Sequence, residues 1–429
     1  MIDQATIEQI KNAANIVDVV ADYVSLHRAG ANYKGLCPFH NERTPSFIVS
    51  PAKNFCHCFG CGKGGDPIRF LMELNNYSYP EALMHLANKF HIEVKEVDMT
   101  SEEIAERQKR QTYLTLCDFA AQYYQKRLAD DCQKEAVAKL NTQNIHESVA
   151  KKFCIGYAPS EKDSLSSAIS KAGFSISYAT DLGLVASIDG GISDVISHAI
   201  VLPVSNKTGK VTAFAWKQLD SDDSCFLITA RSPIFNAQEA IYGIFQAHHA
   251  ISRNKCCYIA DTPYDVLSMH QNGLENTISP LGSSLDRYAV TDISRCVASG
   301  YVSIITADFS AERLHRTFTI IDQFVAQGIS IFVNTVSHGS ISRAIAETNA
   351  SEWQQHIEKN RCDAVLWKAK YLLAKAGDNA TDRVKAIHSC LRTIKAMRNE
   401  TSKQIYLNEL SKLTSFPASI LYQEMGKLK

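Results

Sequence analysis

Two closely spaced pairs of cysteine and histidine residues carry the clearest chemical signal in the sequence. Cys37 and His40 are separated by two residues, seventeen residues follow, and Cys58 and Cys61 are again separated by two residues. Two tight turns at this spacing place four donors around one ion, and zinc favours a closed tetrahedral shell of sulfur and imidazole ligands. We therefore predict one structural zinc ion per chain, bound by these four side chains.

Two further residues beside the second pair, Cys56 and His57, are of ligand type as well. Adjacent residues on a strand point to opposite faces, so we predict that neither is a ligand. Zinc binding in a small unit of this kind contributes directly to its folding free energy.

The segment around the predicted zinc site is locally basic and aromatic. Residues 28–69 contain six Lys or Arg against two Asp or Glu. Basic side chains contact phosphates, and exposed rings stack on unpaired bases. The predicted nucleic-acid-binding residues are Lys34, Arg43, Lys53, Lys63 and Arg69. For Phe39 and Phe59 we expect packing in a small core around the zinc ion.

The overall composition excludes a chain-wide positive field. Lys and Arg total 45, as do Asp and Glu, so any surface that binds nucleic acid must be local. No apolar run approaches the roughly 18 residues that indicate a membrane helix, and the first residues do not resemble a secretory signal. Of the thirteen cysteines, four have metal-ligand spacing and nine are scattered. Their odd total indicates reduced thiols, and hence a cytoplasmic protein.

Hydrophobic periodicity divides the chain into several regions. A helical pattern over 7–24 precedes short alternating segments over 33–65, and two helical patterns then close a unit at about residue 95. Five later segments have the pattern of strands: His198–Val204, Val211–Trp216, Cys257–Ala260, Val302–Thr306 and Ser330–Asn334. The last three alternate with helical segments, as a parallel sheet requires. From about residue 351 the pattern is helical.

Two segments at the N-terminus, CPFHNERTPSF (37–47) and HCFGCGKGG (57–65), closely resemble the zinc-binding domain of DnaG-type bacterial primases. Shorter segments resemble the family's RNA-polymerase core in the expected order, namely FCIGYA (153–158), IYG (241–243), DVLSMH (265–270) and LGSSL (281–285). The resemblance implies a multidomain α+β protein: an N-terminal zinc ribbon with helices, an α/β primase core with a TOPRIM-like parallel sheet, and a C-terminal helical region.

The same resemblance implies a division into five segments. These are a zinc-binding DNA-contact domain (1–95), a helical linker (96–145), the N-terminal part of the RNA-polymerase core (146–255), a TOPRIM-like subdomain (256–350), and a C-terminal region (351–429) corresponding to the start of a helicase-binding domain.

Primer synthesis is phosphoryl transfer, which needs divalent ions held by carboxylates. The family's Glu-Gly-Tyr-x-Asp motif corresponds here to DTPYD (261–265), its Asp-Gly-Asp motif to DFS (308–310), and its third acidic run to SHGSIS (337–342). The resemblance leaves Asp261, Asp265 and Asp308 as candidate catalytic residues for Mg²⁺ or Mn²⁺. The alternative is that they are polar remnants in a core that has diverged.

The family's basic motifs are also reduced. Its Gly-Gly-Arg turn corresponds to AWK (215–217), its Arg-rich strand entry to DVISHA (194–199), and its Lys-Tyr-x-Asn-Ser-Pro-Glu stretch to CFLITAR (225–231). Lys217 keeps a positive charge and is the candidate nucleotide-binding residue, although lysine lacks the bidentate geometry of arginine.

Two functional hypotheses follow. In the first, the chain is a primase that makes short RNA primers on single-stranded DNA from ribonucleoside triphosphates during replication. In the second, it is a catalytically weakened or inactive paralogue that binds single-stranded DNA and a replicative helicase, the latter through its C-terminal helices. Under either hypothesis we expect a cytoplasmic monomer that does not contact membranes.

Overall fold

The computed structural model divides the chain into two compact units, Met1–Arg107 and Gln108–Lys429. The residues that it describes are 2–40, 42–75, 77–94, 100–130, 134–161, 164–188, 191–220, 226–237, 240–282, 285–307, 309–336, 340–346 and 350–428.

The first unit combines four helices with a small antiparallel sheet. The helices are α1 (Gln4–Ala13), α2 (Ile16–Ala21), α3 (Pro67–Asn75) and α4 (Tyr79–Lys89). The strands are β1 (His27–Ala29), β2 (Asn32–Gly35), β3 (Phe47–Ser50), β4 (Phe55–Cys58) and β5 (Gly64–Gly65), and they follow one another across the sheet in chain order. The boundary between the units falls within one long helix, α5 (Ser101–Ala129).

The helical pattern predicted over residues 7–24 is interrupted in the structure. Helix α1 ends at Ala13, and Asn15 caps α2 by accepting a hydrogen bond from the backbone N–H of Val17. The side chain of Asn54 holds the break: its amide donates to the carbonyl of Ala14 at 2.8 Å, and its oxygen accepts from the N–H of Ile16 at 2.7 Å. A contact between residues so distant in sequence leaves no signal in local periodicity.

The second unit contains the remaining elements. Its helices are α6 (Lys134–Thr142), α7 (Glu147–Lys152), α8 (Ser164–Lys171), α9 (Ile176–Asp181), α10 (Ile244–Asn254), α11 (Pro263–Gln271), α12 (Arg287–Cys296), α13 (Ala311–Gln327), α14 (Ile341–Ala346), α15 (Ala350–Asn360), α16 (Ala364–Ala376), α17 (Ala380–Lys395), α18 (Glu400–Thr414) and α19 (Ala418–Lys427). Its strands are β6 (Gly156–Ala158), β7 (Val185–Ile188), β8 (Gly191–Asp194), β9 (Ala199–Ser205), β10 (Val211–Gln218), β11 (Leu227–Ile228), β12 (Ile241–Tyr242), β13 (Cys256–Ile259), β14 (Thr277–Pro280), β15 (Tyr301–Thr306), β16 (Ser330–Thr335) and β17 (Cys362–Asp363).

All five predicted strands of this unit are present, as β9, β10, β13, β15 and β16. Strands β9 and β10 pair within an antiparallel sheet of order β11-β10-β9-β6. A second sheet has the order β12-β14-β13-β15-β16-β17, and its four central strands are parallel. The predicted parallel sheet is therefore confirmed. Its strands end at one edge, where polar side chains that follow them gather.

The second sheet extends beyond the segment 256–350 on both sides. Its antiparallel edge strands β12 and β17 precede residue 256 and follow residue 351. One face of the sheet packs with α13 and with α16–α19 in a single hydrophobic core that includes Phe324, Val333, Leu391 and Leu407. The predicted boundaries at residues 256 and 351 therefore fall inside a single sheet and a single hydrophobic core.

An ion pair between a buried lysine and a partly exposed aspartate joins the C-terminal helices to α13. Lys368 of α16 is only 2% exposed. Its ammonium group donates to both carboxylate oxygens of Asp322 in α13, at 2.8 and 2.9 Å, and to the hydroxyl of Thr393 in α17, at 3.0 Å. Burial of a lysine is tolerated only when its charge is compensated in this way.

Within the described ranges, no helix is both long and apolar enough to cross a membrane. The eleven cysteines in the described part of the chain are all free thiols, so disulfides do not contribute to stability there.

Replacing Asp322 by Ala should lower the free energy of unfolding by about 3 kcal/mol, because it leaves the Lys368 ammonium group buried without its counter-charge. Lys368→Met should cost much less, since Asp322 is 42% exposed and water can solvate it. The double variant should be more stable than Asp322→Ala alone. Urea unfolding of the three variants measures this order, and equal losses in both single variants would contradict it.

Candidate functional site

The four residues of the predicted zinc site lie together in the first unit. The β3–β4 hairpin brings the segment after β2, which holds Cys37 and His40, next to the turn that holds Cys58 and Cys61. One ligand atom from each residue lies within 4.8 Å of all the others. Cys37 Sγ and Cys61 Sγ are 3.7 Å apart, and Cys58 Sγ lies 3.8 Å from His40 Nδ1. A tetrahedral zinc ion with Zn–S bonds of about 2.3 Å separates its ligands by about 3.8 Å.

Glu42 supports this cluster through hydrogen bonds and through its position beside His40. Its carboxylate accepts hydrogen bonds from the backbone N–H of Cys37 at 2.8 Å and of Ser46 at 3.0 Å, and it lies 3.4 Å from His40 Nε2. The hydrogen bond from the Ser46 hydroxyl is the main cause that lowers the pKa of Glu42 below its ordinary value. A carboxylate that holds the second nitrogen of a metal-binding histidine is a recurring feature of zinc sites.

The two neighbouring residues, Cys56 and His57, do not join the cluster. The thiol of Cys56 is buried and donates to the carbonyl of Gly65 at 3.3 Å. The His57 ring contacts Phe59 edge-to-face, with 4.8 Å between ring centroids. This placement agrees with their predicted exclusion.

The two phenylalanines that flank the ligand pairs differ in environment. Phe39 packs edge-to-face against Phe47 and Phe70 at the core of the unit, as expected. The expectation for Phe59 was wrong, because its side chain is 73% exposed. The turn between Cys58 and Cys61 is short, so the zinc ligands fix the backbone there and the ring between them points to solvent.

The five predicted DNA-contact residues fall into two groups. Lys63 lies 3.9 Å and Arg69 lies 3.1 Å from Glu73, so both have a carboxylate partner. Lys34, Arg43 and Lys53 are exposed, and among the residues that the structure describes they have no ion-pair partner. These three are the better placed to contact phosphates.

In the second unit, Asp261 and Asp265 lie at the carboxyl edge of the parallel sheet. Asp261 follows β13 and is 7% exposed. Its Oδ2 accepts hydrogen bonds from the hydroxyl of Thr306, the last residue of β15, at 3.0 Å and from the N–H of Ala307 at 2.9 Å. Burial raises the pKa of Asp261, and these donors with Arg316 act in the opposite direction.

Asp265 is in the first turn of α11 and is 4% exposed. Its Oδ2 accepts from the N–H of Thr262 at 3.0 Å and from the Thr262 hydroxyl at 2.6 Å. The Asp265 N–H donates in return to the Thr262 hydroxyl oxygen at 3.2 Å, which completes a capping box. Its Oδ1 accepts from the N–H of Ser342 at 3.2 Å. Burial, reinforced by the charge of Asp261, raises the pKa of Asp265 to about 6.

Both carboxylates line a cavity of about 380 Å³. Lys217 lies on the same cavity, with its ammonium group 5.8 Å from the centre of the Tyr264 ring. The structure therefore brings together three of the predicted core residues. The fourth, Asp308, lies outside the described residues, as do 283–284 and 337–339.

Sequence reasoning missed two arginines of this edge, Arg313 and Arg316. Both are on α13, three residues apart and therefore on one helix face, and both donate to the backbone carbonyl of Asp261. The sequence feature that could have identified them is the pair of arginines three residues apart on the helix that directly follows Asp308.

Two family models match the chain. The CHC2 zinc finger matches residues 2–103, and the DNA primase catalytic core, N-terminal domain, matches residues 123–248. The chain belongs to the DnaG-type primase family.

Relatives of this primase-family chain extend the match to its full length. A DNA primase of Listeria innocua is 28% identical over 434 residues, which cover 99% of this chain and 69% of the relative. The solved zinc-binding and RNA-polymerase domains of the Aquifex aeolicus primase cover 97% of this chain and 98% of that one, at 24% identity and a TM-score of 0.60. A DnaG primase catalytic domain solved with single-stranded DNA covers 71% of this chain and 99% of that one, at 18% identity and a TM-score of 0.62.

The metals that the family implies fit the two units differently. The tetrad of the first unit has the donor types, separations and supporting carboxylate that zinc requires. In the second unit, the described carboxylates already accept hydrogen bonds from protein donors at both oxygens of Asp265 and at Oδ2 of Asp261. As they stand, these two carboxylates do not fit a divalent cation site.

Replacing Cys61 by Ser should release zinc and unfold the first unit, because the small core depends on the metal for much of its stability. The matched control is Cys56→Ala, which removes a buried thiol outside the cluster. We expect metal analysis to find one zinc per chain in the wild type and in the control, and none in Cys61→Ser. One zinc per chain in Cys61→Ser would contradict the ligand assignment.

Proposed function

We propose that this DnaG-family protein takes part in DNA replication as a primase that engages single-stranded template through its zinc module and makes short RNA primers. The observation that carries the proposal is the zinc-ligand tetrad, together with an exposed ring and basic residues that have no ion-pair partner in the described part of the chain. The chain is also related to a DNA primase over 99% of its residues.

The surface of the zinc module has the two features that sequence-independent binding of single strands requires. Phe59 offers an exposed ring, and each base has a π-face that stacks on such a ring. Lys34, Arg43 and Lys53 supply positive charge for phosphates on the same small unit. The solved catalytic domain with bound single-stranded DNA shows that a relative of the second unit also contacts such strands.

The remaining partners follow from the same proposal. Ribonucleoside triphosphates would enter the cavity beside Lys217, with Mg²⁺ or Mn²⁺ as the cation of synthesis. A replicative helicase is the proposed partner of the C-terminal helices. Free thiols throughout the described chain favour action in the cytoplasm.

Phe59→Ala should weaken binding of single-stranded DNA about tenfold, because stacking of one base on an aromatic ring contributes roughly 1–3 kcal/mol. The matched control is Tyr288→Ala, which removes an equally exposed ring, 78% accessible, from the second unit. Fluorescence anisotropy with a labelled oligonucleotide gives the affinities, and metal analysis confirms that both variants keep zinc. Unchanged affinity in Phe59→Ala would exclude the ring from the DNA contact.

A second candidate function is favoured by the contacts of Asp261 and Asp265. Carboxylates that are buried and already hydrogen-bonded to protein donors leave little capacity for the cations of phosphoryl transfer. In this case the chain binds template and helicase without making primers, or makes them poorly.

A primer-synthesis assay with labelled ribonucleotides, single-stranded template and Mn²⁺ separates the two functions. Primase activity predicts short labelled products that disappear in Asp308→Ala. The second function predicts no products from zinc-loaded protein that still binds the template in the same buffer. Products from the wild type that Asp308→Ala abolishes would therefore rule out the inactive paralogue.

A further inference from the structure

The two arginines of α13 reach across the carboxyl edge of the parallel sheet to Asp261. Arg316 is 8% exposed. Its guanidinium group donates to the carbonyl of Pro280 at 3.0 Å and to the carbonyl of Asp261 at 3.0 Å, and it lies 3.8 Å from Asp261 Oδ1. Arg313 donates to the same Asp261 carbonyl at 2.7 Å. The backbone and the carboxylate of one aspartate are thus held by two guanidinium groups.

Burial fixes the charge state of this arrangement. An arginine keeps its proton in proteins, so the Arg316 charge must be compensated where it lies. Among the described residues, Asp261 Oδ1 is one ion-pair partner of Arg316. A positive charge beside the Asp261 carboxylate therefore comes from an arginine of the chain itself.

The second carboxylate is closed by different donors. Asp265 accepts from the N–H and the hydroxyl of Thr262 on one oxygen and from the N–H of Ser342 on the other. Ser342 belongs to α14, which packs over α11. An ion that bridged Asp261 and Asp265 would compete with these donors for the carboxylate oxygens and would approach Arg316 closely.

We infer that Arg313 and Arg316 supply to Asp261 the positive charge that divalent cations supply in metal-dependent phosphoryl transfer, so that the pocket between Asp261 and Asp265 is closed to divalent cations. Repulsion between Arg316 and a divalent ion would be twice that with a monovalent ion at the same distance, and low local polarity strengthens it. Template binding by the zinc module does not depend on this inference, whereas primer synthesis with divalent cations in this pocket does. The inference therefore goes beyond the template-binding part of the proposed function and supports the second candidate function, in which primers are made poorly or not at all.

Electron paramagnetic resonance of Mn²⁺ added to the zinc-loaded full-length chain tests this inference. We expect Mn²⁺ binding by the wild type to equal that of Asp261→Asn and of Asp265→Asn, because neither carboxylate holds the ion. In the double variant Arg313→Gln/Arg316→Gln we expect Mn²⁺ affinity to rise at least tenfold, because Asp261 loses the positive charge beside it. The matched control is His315→Gln, an exposed position on α13 between the two arginines, where we expect no change.

Two results would overturn the inference: Mn²⁺ bound by the wild type and released by Asp261→Asn, or a folded double variant whose Mn²⁺ affinity stays unchanged. Circular dichroism establishes whether the double variant is folded. If it is unfolded, Arg313→Gln alone, at the less buried arginine, provides the test, and we expect a smaller gain in Mn²⁺ affinity. Single-stranded DNA binding by the same samples keeps the two proposals apart. If the wild type does not bind single-stranded DNA, the proposed function is rejected, whereas the inference about the pocket is unaffected.

Discussion

Buried negative charge has to be neutralised where it lies, and both units of this chain are organised around that requirement. In the first unit, cysteine thiolates gather at the end of a small sheet, and a zinc ion is the cation that their geometry fits. In the second unit, carboxylates gather at the edge of a parallel sheet, and arginines with backbone N–H groups neutralise or solvate them. The first unit binds a zinc ion from solution, whereas the second unit uses the positive charge of its own arginine side chains.

This difference bears on what each unit does. Because the metal contributes folding free energy, the first unit needs only a modest core and can leave Phe59 and several basic residues at its surface. These are the groups that we propose to contact single strands. The second unit has the fold of solved primase domains, while the carboxyl edge of its parallel sheet has internal hydrogen-bond partners. Conservation of the fold therefore does not by itself carry over the cation chemistry.

The parts of the structure that depend on local pattern were predictable. The double spacing of two residues indicated the tetrad, and alternation of strand and helix indicated the parallel sheet formed by β13, β15 and β16. Contacts between residues distant in sequence were not predictable. Asn54 breaks the first helical pattern from across the unit, and Arg316 reaches Asp261 over 55 residues. The exposure of Phe59 depends on the fixed turn around the metal, which residue type alone does not show.

The most direct measurement of the central claim is anomalous diffraction from a crystal of the zinc-loaded chain soaked in Mn²⁺. The two metals are distinguished by data collected on either side of the zinc absorption edge. We expect a zinc peak among Cys37, His40, Cys58 and Cys61, no manganese peak between Asp261 and Asp265, and Arg316 in contact with Asp261. A manganese ion between the two carboxylates, with the Arg316 guanidinium group displaced, would contradict this expectation.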